Sequence, residues 1–227
     1  MGKLEEKKSN NYKVFIKNKK MNGLKQNHII ILALVSLLIV LYFMSSKNNS
    51  KEEPVVVSPI NVTIQTTKGD IGLLLYADKT PKTVANFIEL ANADYYDGVK
   101  FHRVMKDFMI QSGDYKTKDD SLMDEWGSGD PGWKIEDEFV EGVSNMRGTI
   151  SMANSGPNTG GSQWFINLVD NQFLDFDRQP LGSKHAVFGK VISGMDVVDA
   201  IGEVETEGPE GSRPVEPIVI TDVIVGK

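Results

Sequence analysis

Val99–Asp114 reads VKFHRVMKDFMIQSGD, and its alternation of apolar and polar residues describes two short strands, Val99–Met105 and Phe108–Ser112. Successive side chains of a strand point to opposite sides. Phe101, Arg103 and Met105 are therefore expected on one face, with His102 and Val104 on the other. In the second strand Phe108 and Ile110 should point one way, Met109 and Gln111 the other. An arginine between an aromatic and a thioether side chain is unusual on a strand. The plain alternative is a solvated charge beside core residues.

Working outward, Asn61–Thr67 (NVTIQTT) and Ile71–Tyr76 (IGLLLY) read as strands joined by Lys68-Gly69-Asp70, a hairpin signal. Thr80-Pro81 opens a helix, Thr at the N-cap and Pro at the first helical position. Val84, Phe87, Ile88 and Ala91 then form one apolar stripe, and the helix should stop before Tyr95-Tyr96-Asp97-Gly98. A second helix is expected over Met195–Ile201, between Gly194 and Gly202. Further strands are predicted at Thr149–Ala153, Gln163–Leu168, Ala186–Val191 and Ile218–Val225. The fold class is mainly β, with eight strands and two helices in one domain over residues 60–227. Eight strands suffice to close a barrel whose interior is filled by side chains, so a ligand must sit on its outer wall or rim.

The rest of the chain carries an address rather than a second fold. Residues 1–28 hold eight Lys against two Glu, and Ile29–Met44 (IIILALVSLLIVLYFM) carries no charge. With its polar flanks that stretch is long enough for a bilayer core of about 30 Å. Only Lys47 and Lys51 follow closely, so the positive-inside rule puts the N-terminus in the cytoplasm and the domain outside. The organisation expected is a basic tail (1–28), a transmembrane helix or signal anchor (29–44), a linker (45–59) and the folded domain. A cleaved signal peptide, with a start at Met21, is the alternative. No small-x-small cleavage site precedes Ser46.

Composition excludes whole classes of chemistry. The 227 residues include no Cys, which removes disulfides, thiolate metal sites and Cys nucleophiles. Beyond residue 44 the chain carries 17 Lys and Arg against 29 Asp and Glu, a charge that repels phosphate backbones, so no nucleic-acid partner is expected. The three histidines, His28, His102 and His185, make no i, i+4 pair, so no metal site is expected. Asp119-Asp120 and Asp124-Glu125 lack calcium-loop spacing and read as a solvated acidic loop. Gly156–Ser162 is glycine-rich, but no Lys follows it as a phosphate loop requires. No G-x-S-x-G elbow marks a hydrolase.

Taken together, Thr80–Phe87 (TPKTVANF), Tyr96–Asp114 (YDGVKFHRVMKDFMIQSGD), Gly132–Phe139 (GWKIEDEF), Gly148–Ile166 (GTISMANSGPNTGGSQWFI) and Lys184–Met195 (KHAVFGKVISGM) resemble the cyclophilins. The likeness runs from about Asn61 to the C-terminus. It implies a closed eight-stranded antiparallel barrel capped by two α-helices, and peptidyl-prolyl cis/trans isomerase activity without a cofactor. Proline-containing polypeptides are the implied partners. The implied groove comprises Arg103 as catalytic residue, with His102, Phe108, Met109, Gln111, Ala153, Asn154, Gln163, Phe165, Phe173, Leu174 and His185 binding substrate. Phe173 stands where many eukaryotic members have Trp and lacks an indole donor, so weak or no cyclosporin binding is expected. Tyr115–Gly127 and Asp175–Ser183 are longer than is usual and should reshape the rim. With the anchor, the resemblance implies help in folding exported proteins. A non-catalytic proline-peptide-binding module or chaperone is the rival.

Overall fold

The computed structural model describes residues 59–179, 184–208 and 210–226. The basic tail, the apolar span at 29–44 and nearly all of the linker lie outside the described residues. Among the described residues no helix is long and apolar enough to cross a membrane.

Eight strands form one antiparallel sheet: β1 (Ile60–Thr66), β2 (Gly69–Leu75), β3 (Arg103–Met105), β4 (Met109–Ser112), β5 (Thr149–Met152), β6 (Trp164–Asn167), β7 (Val187–Ser193) and β10 (Ile220–Val225). Their order is β10-β1-β2-β7-β5-β6-β4-β3. A separate two-stranded ribbon pairs β8 (Thr206–Glu207) with β9 (Arg213–Pro214).

The expected closed barrel is corrected by this order. The sheet curls into an open half-barrel whose edges, β10 and β3, do not pair as strands. The cause is local. The predicted strand Val99–Met105 keeps ladder geometry only from Arg103, and the residues before it make a single bridge, Lys100 to Val219. Backbone bonds from Phe101 N to Ile218 O (3.0 Å) and from Ile220 N to Val99 O (2.8 Å) tie the two edges without completing a ladder.

The sheet's concave side holds the core. Trp164 is fully buried and meets Phe101 edge-on at 5.8 Å, with Phe87 and Tyr96 each at 6.4 Å. Edge-to-face rings satisfy the aromatic quadrupole as well as burying area. Helix α1 (Pro81–Asn92) supplies Phe87 and packs against β10, and α2 (Met195–Gly202) packs against β2, β3 and β4. Thr80 sits at the N-cap of α1 as predicted, but its hydroxyl donates to Tyr76 O. The orphan N–H groups of Lys82 and Thr83 donate instead to the carboxylate of Glu138, at 3.1 and 2.7 Å. A carboxylate there also meets the positive end of the helix dipole.

Candidate active site

Strands β3, β4 and β6 lie side by side, with Arg103 opposite Gln111 and Gln111 opposite Phe165. These three residues make one row across the outer face of the sheet. One step along the strands, Met105 lies opposite Met109. Met109, Phe165 and Leu174 form a small buried apolar cluster, with Met105, Phe108 and Ala153 packed against it. It is separate from the main core and forms an apolar slot beside the arginine.

Strict alternation fails at both ends of this hairpin, which corrects two expectations. Phe101 enters the core with Val104, while His102 and Arg103 both line the groove. Two successive residues share a side because the chain joins the ladder only at Arg103. Phe108 does not follow Ile110 into the core. It sits in the turn closed by Phe108 N to Met105 O (3.0 Å), where Asp107 takes a left-handed conformation, φ 59°. That turn swings the ring to the groove side, beside Met109.

The groove has a volume of about 830 Å³, within the usual range of ligand sites. It gathers ten of the twelve residues named from the sequence: His102, Arg103, Phe108, Met109, Gln111, Ala153, Asn154, Phe165, Leu174 and His185. Gln163 lies next door, lining a second cavity of about 320 Å³. Its amide donates to Gly127 O (3.0 Å) and Gly129 O (2.9 Å) and accepts from Gln111 (2.9 Å), so it pins a loop to the floor. Phe173 lines neither cavity. It is 49% exposed and stacks on Phe108 with ring centres 5.9 Å apart. Within the one-turn 3-10 helix Gln172–Leu174, burying Leu174 turns its neighbour outward.

Electrostatically, the Arg103 cation lies beside the apolar slot, while Arg213 on the same groove pairs with Glu207. The Arg103 side chain is 36% exposed, and its Nε lies 3.6 Å from Glu210 Oε2. His102 is buried, and both ring nitrogens lack a partner among the described residues. Burial lowers its pKa to about 4, so it is neutral near pH 7. His185 is also held below the usual imidazole range by burial. Its Nδ1 lies 3.0 Å from Met152 O, and its ring meets Phe165 edge-on at 5.2 Å.

Two walls of the groove escaped the sequence reading at the level of residues. Met123–Ser128 forms one. Asp114 anchors that loop at both ends, accepting from Lys116 N (2.8 Å), Gly127 N and Gly129 N (3.0 Å). The turn into Asp114 requires Gly113: φ is +93°, and a Cβ there would lie 2.3 Å from Ser162 O. Carboxylates of the loop are used locally, Asp119 capping Ser121 and Asp120 pairing with Lys100. The other wall is the β8–β9 ribbon, with Glu207, Gly208, Glu210, Ser212 and Arg213 on the groove. Ser212 O accepts from Val104 N at 2.6 Å, which docks the ribbon beside β3. Gly208 and Gly211 were the available turn signal.

Residues 60–225 match the family described as cyclophilin type peptidyl-prolyl cis-trans isomerase/CLD. The chain is 42% identical over 163 residues to peptidyl-prolyl cis-trans isomerase A of Dickeya dadantii, covering 70% of this chain and 81% of that one. It is 43% identical over 170 residues to peptidyl-prolyl cis-trans isomerase CYP71 of Arabidopsis thaliana, covering 74% of this chain but 25% of that longer protein. The crystal structure of a Cryptosporidium parvum cyclophilin type peptidyl-prolyl cis-trans isomerase superposes with a TM-score of 0.64 at 28% identity, covering 74% of this chain and 98% of that one. The same protein was also crystallised in the presence of dipeptide ala-pro, with a TM-score of 0.63.

Proposed function

The chain belongs to the cyclophilin-type peptidyl-prolyl cis-trans isomerase family, and from that premise we propose which residues carry the rotation of X–Pro bonds. The observation that carries the assignment is the row Arg103, Gln111, Phe165 lying beside the slot of Met109, Phe165 and Leu174.

A peptide bond resists rotation because the nitrogen lone pair is delocalised into the carbonyl, with a barrier of ~18–20 kcal/mol. X–Pro bonds populate both isomers but exchange slowly. In the twisted transition state the lone pair returns to nitrogen, which becomes a better hydrogen-bond acceptor. A fixed donor aimed at that nitrogen binds the twisted state better than either planar one. Arg103 is that donor: always charged, and offering several N–H groups from one planar head. No covalent bond forms or breaks.

The apolar cluster takes the proline ring, whose burial contributes about 1–3 kcal/mol. Gln111 and the Asn154 backbone hold the substrate main chain, and neutral His102 and His185 line the sides without competing charge. Weak cyclosporin binding follows from Phe173, which offers no ring N–H and stacks on Phe108 outside the groove. The test is a protease-coupled isomerisation assay on the chain and its Arg103→Ala variant. Near-normal turnover in the variant removes Arg103 from the mechanism.

We also propose that Ile29–Met44 anchors the domain outside a membrane, where it acts on exported polypeptides. The uncharged run and the eight lysines before it support this reading. External protease applied to intact cells should remove the domain. Full protection would reverse the orientation.

A further inference from the structure

Behind the slot runs a chain of buried polar side chains that the reaction does not use. Asp175, buried, accepts from Asn145 N (2.8 Å), Asn145 Nδ2 (2.9 Å) and Ser144 Oγ. Asn145 Nδ2 also donates to His185 O at 3.3 Å, and Asn145 O accepts from Asn171 N at 2.7 Å. Asn171 Nδ2 donates to Asn167 Oδ1 (2.8 Å) and to Phe108 O (2.9 Å). Asn145, Asn167 and Asn171 are each at most 2% exposed.

Both ends of this chain hold backbone that carries side chains of the slot. One end holds the backbone of Phe108. The other holds the segment of Leu174 and the backbone of His185, which are themselves joined by His185 N to Leu174 O at 3.0 Å. Burying three amides and a carboxylate is costly unless each is satisfied, and apolar packing of the same volume often stabilises as well or better. What hydrogen bonds add is a fixed length and direction. We propose that Asn145, Asn171 and Asp175 are positioning residues that set the separation of Phe108 from Leu174 and His185, and so the fit of the slot to a proline ring. The proposal rests on the isomerase reading of the groove. It assigns these residues to substrate fit rather than to the rotation step, which Arg103 carries from the other side.

The experiment is steady-state kinetics on an X–Pro peptide for the wild-type chain, Asp175→Asn, Asn171→Ser and a control, Thr66→Val. Thr66 is buried outside the groove, in the β1–β2 turn, and its hydroxyl donates to Gly69 O at 2.7 Å. Each of the two network variants should raise KM fivefold or more while kcat stays within twofold. Thr66→Val should lower Tm and leave KM unchanged. The proposal is overturned if the network variants behave like Thr66→Val, if they lower kcat at constant KM, or if both fail to fold. An inactive wild-type chain would instead overturn the isomerase reading beneath it.

Discussion

The floor and the rim of the groove are held by different forces. On the floor, Arg103, Gln111 and Phe165 stand on strands β3, β4 and β6, whose inward neighbours Val104, Ile110 and Ile166 are locked in the core. Moving any floor side chain by one position would turn its strand's core residues outward. The rim consists of the 115–129 loop and the β8–β9 ribbon, held by a few polar contacts. Asp114 grips the loop, while the Arg103–Glu210 contact and the bond from Val104 N to Ser212 O hold the ribbon. A group that must be placed to a fraction of an ångström belongs on the floor, and a surface that only screens partners can stay on the rim.

If that division is right, the largest effect comes from the floor. Arg103→Ala should lower kcat/KM by roughly two or more orders of magnitude, with an unchanged circular dichroism spectrum. The side chain is a third exposed and its ion pair is with exposed Glu210, so the fold should survive.

Between floor and rim lies His102, whose effect is on stability. Its folded pKa, about 4, lies below its ordinary value of 6.5. The unfolded chain therefore takes up the proton first. This contribution to stability is whole above about pH 6.5 and is lost progressively as pH falls to about 4. The loss is on the order of 2–3 kcal/mol. Asp114 and Arg103 face the ring with opposite charges and oppose each other. Urea unfolding at pH 7 and pH 4 should show His102→Gln losing less stability than wild type. Equal losses would mean that the imidazole reaches water.

Rim changes should be smaller still. Asp114→Asn puts an amide N–H group where backbone N–H groups now donate, at a cost of about 1–2 kcal/mol. Hydrogen exchange should quicken in residues 115–129, with turnover of a short peptide changed less than threefold. Glu210→Gln breaks an exposed ion pair of at most about 1 kcal/mol and should move kcat/KM less than about twofold. A tenfold fall would transfer Glu210 from the rim to the positioning of the arginine.

Local pattern made much of this legible. The start of α1 at Pro81 and the eight sheet strands within a few residues follow from spacing. The β1–β2 hairpin also does, although its turn is Thr67-Lys68 rather than Lys68-Gly69-Asp70. Ten of the twelve residues that the family resemblance implied line the groove. What stayed hidden depends on partners distant in sequence. Phe101 and Phe108 left their expected faces because the hairpin's ends lie outside the ladder. The α1 cap comes from Glu138, 55 residues beyond Thr83. The ribbon that brings Glu210 to Arg103 carries no regular alternation, only glycine turns.

By itself the sequence determined the succession of strands and helices, because periodicity and turn chemistry act between near neighbours, and its motifs carried the family resemblance that implied the residues of the groove floor. Tertiary structure alone decided that the sheet stays open between β10 and β3, that Phe173 stands outside the groove, and that a buried polar chain holds the backbone of Phe108 and His185. The open edge and the polar chain depend on which distant backbone group meets a donor or acceptor, and the place of Phe173 on the apolar cluster that buries Leu174, and no local pattern specifies either.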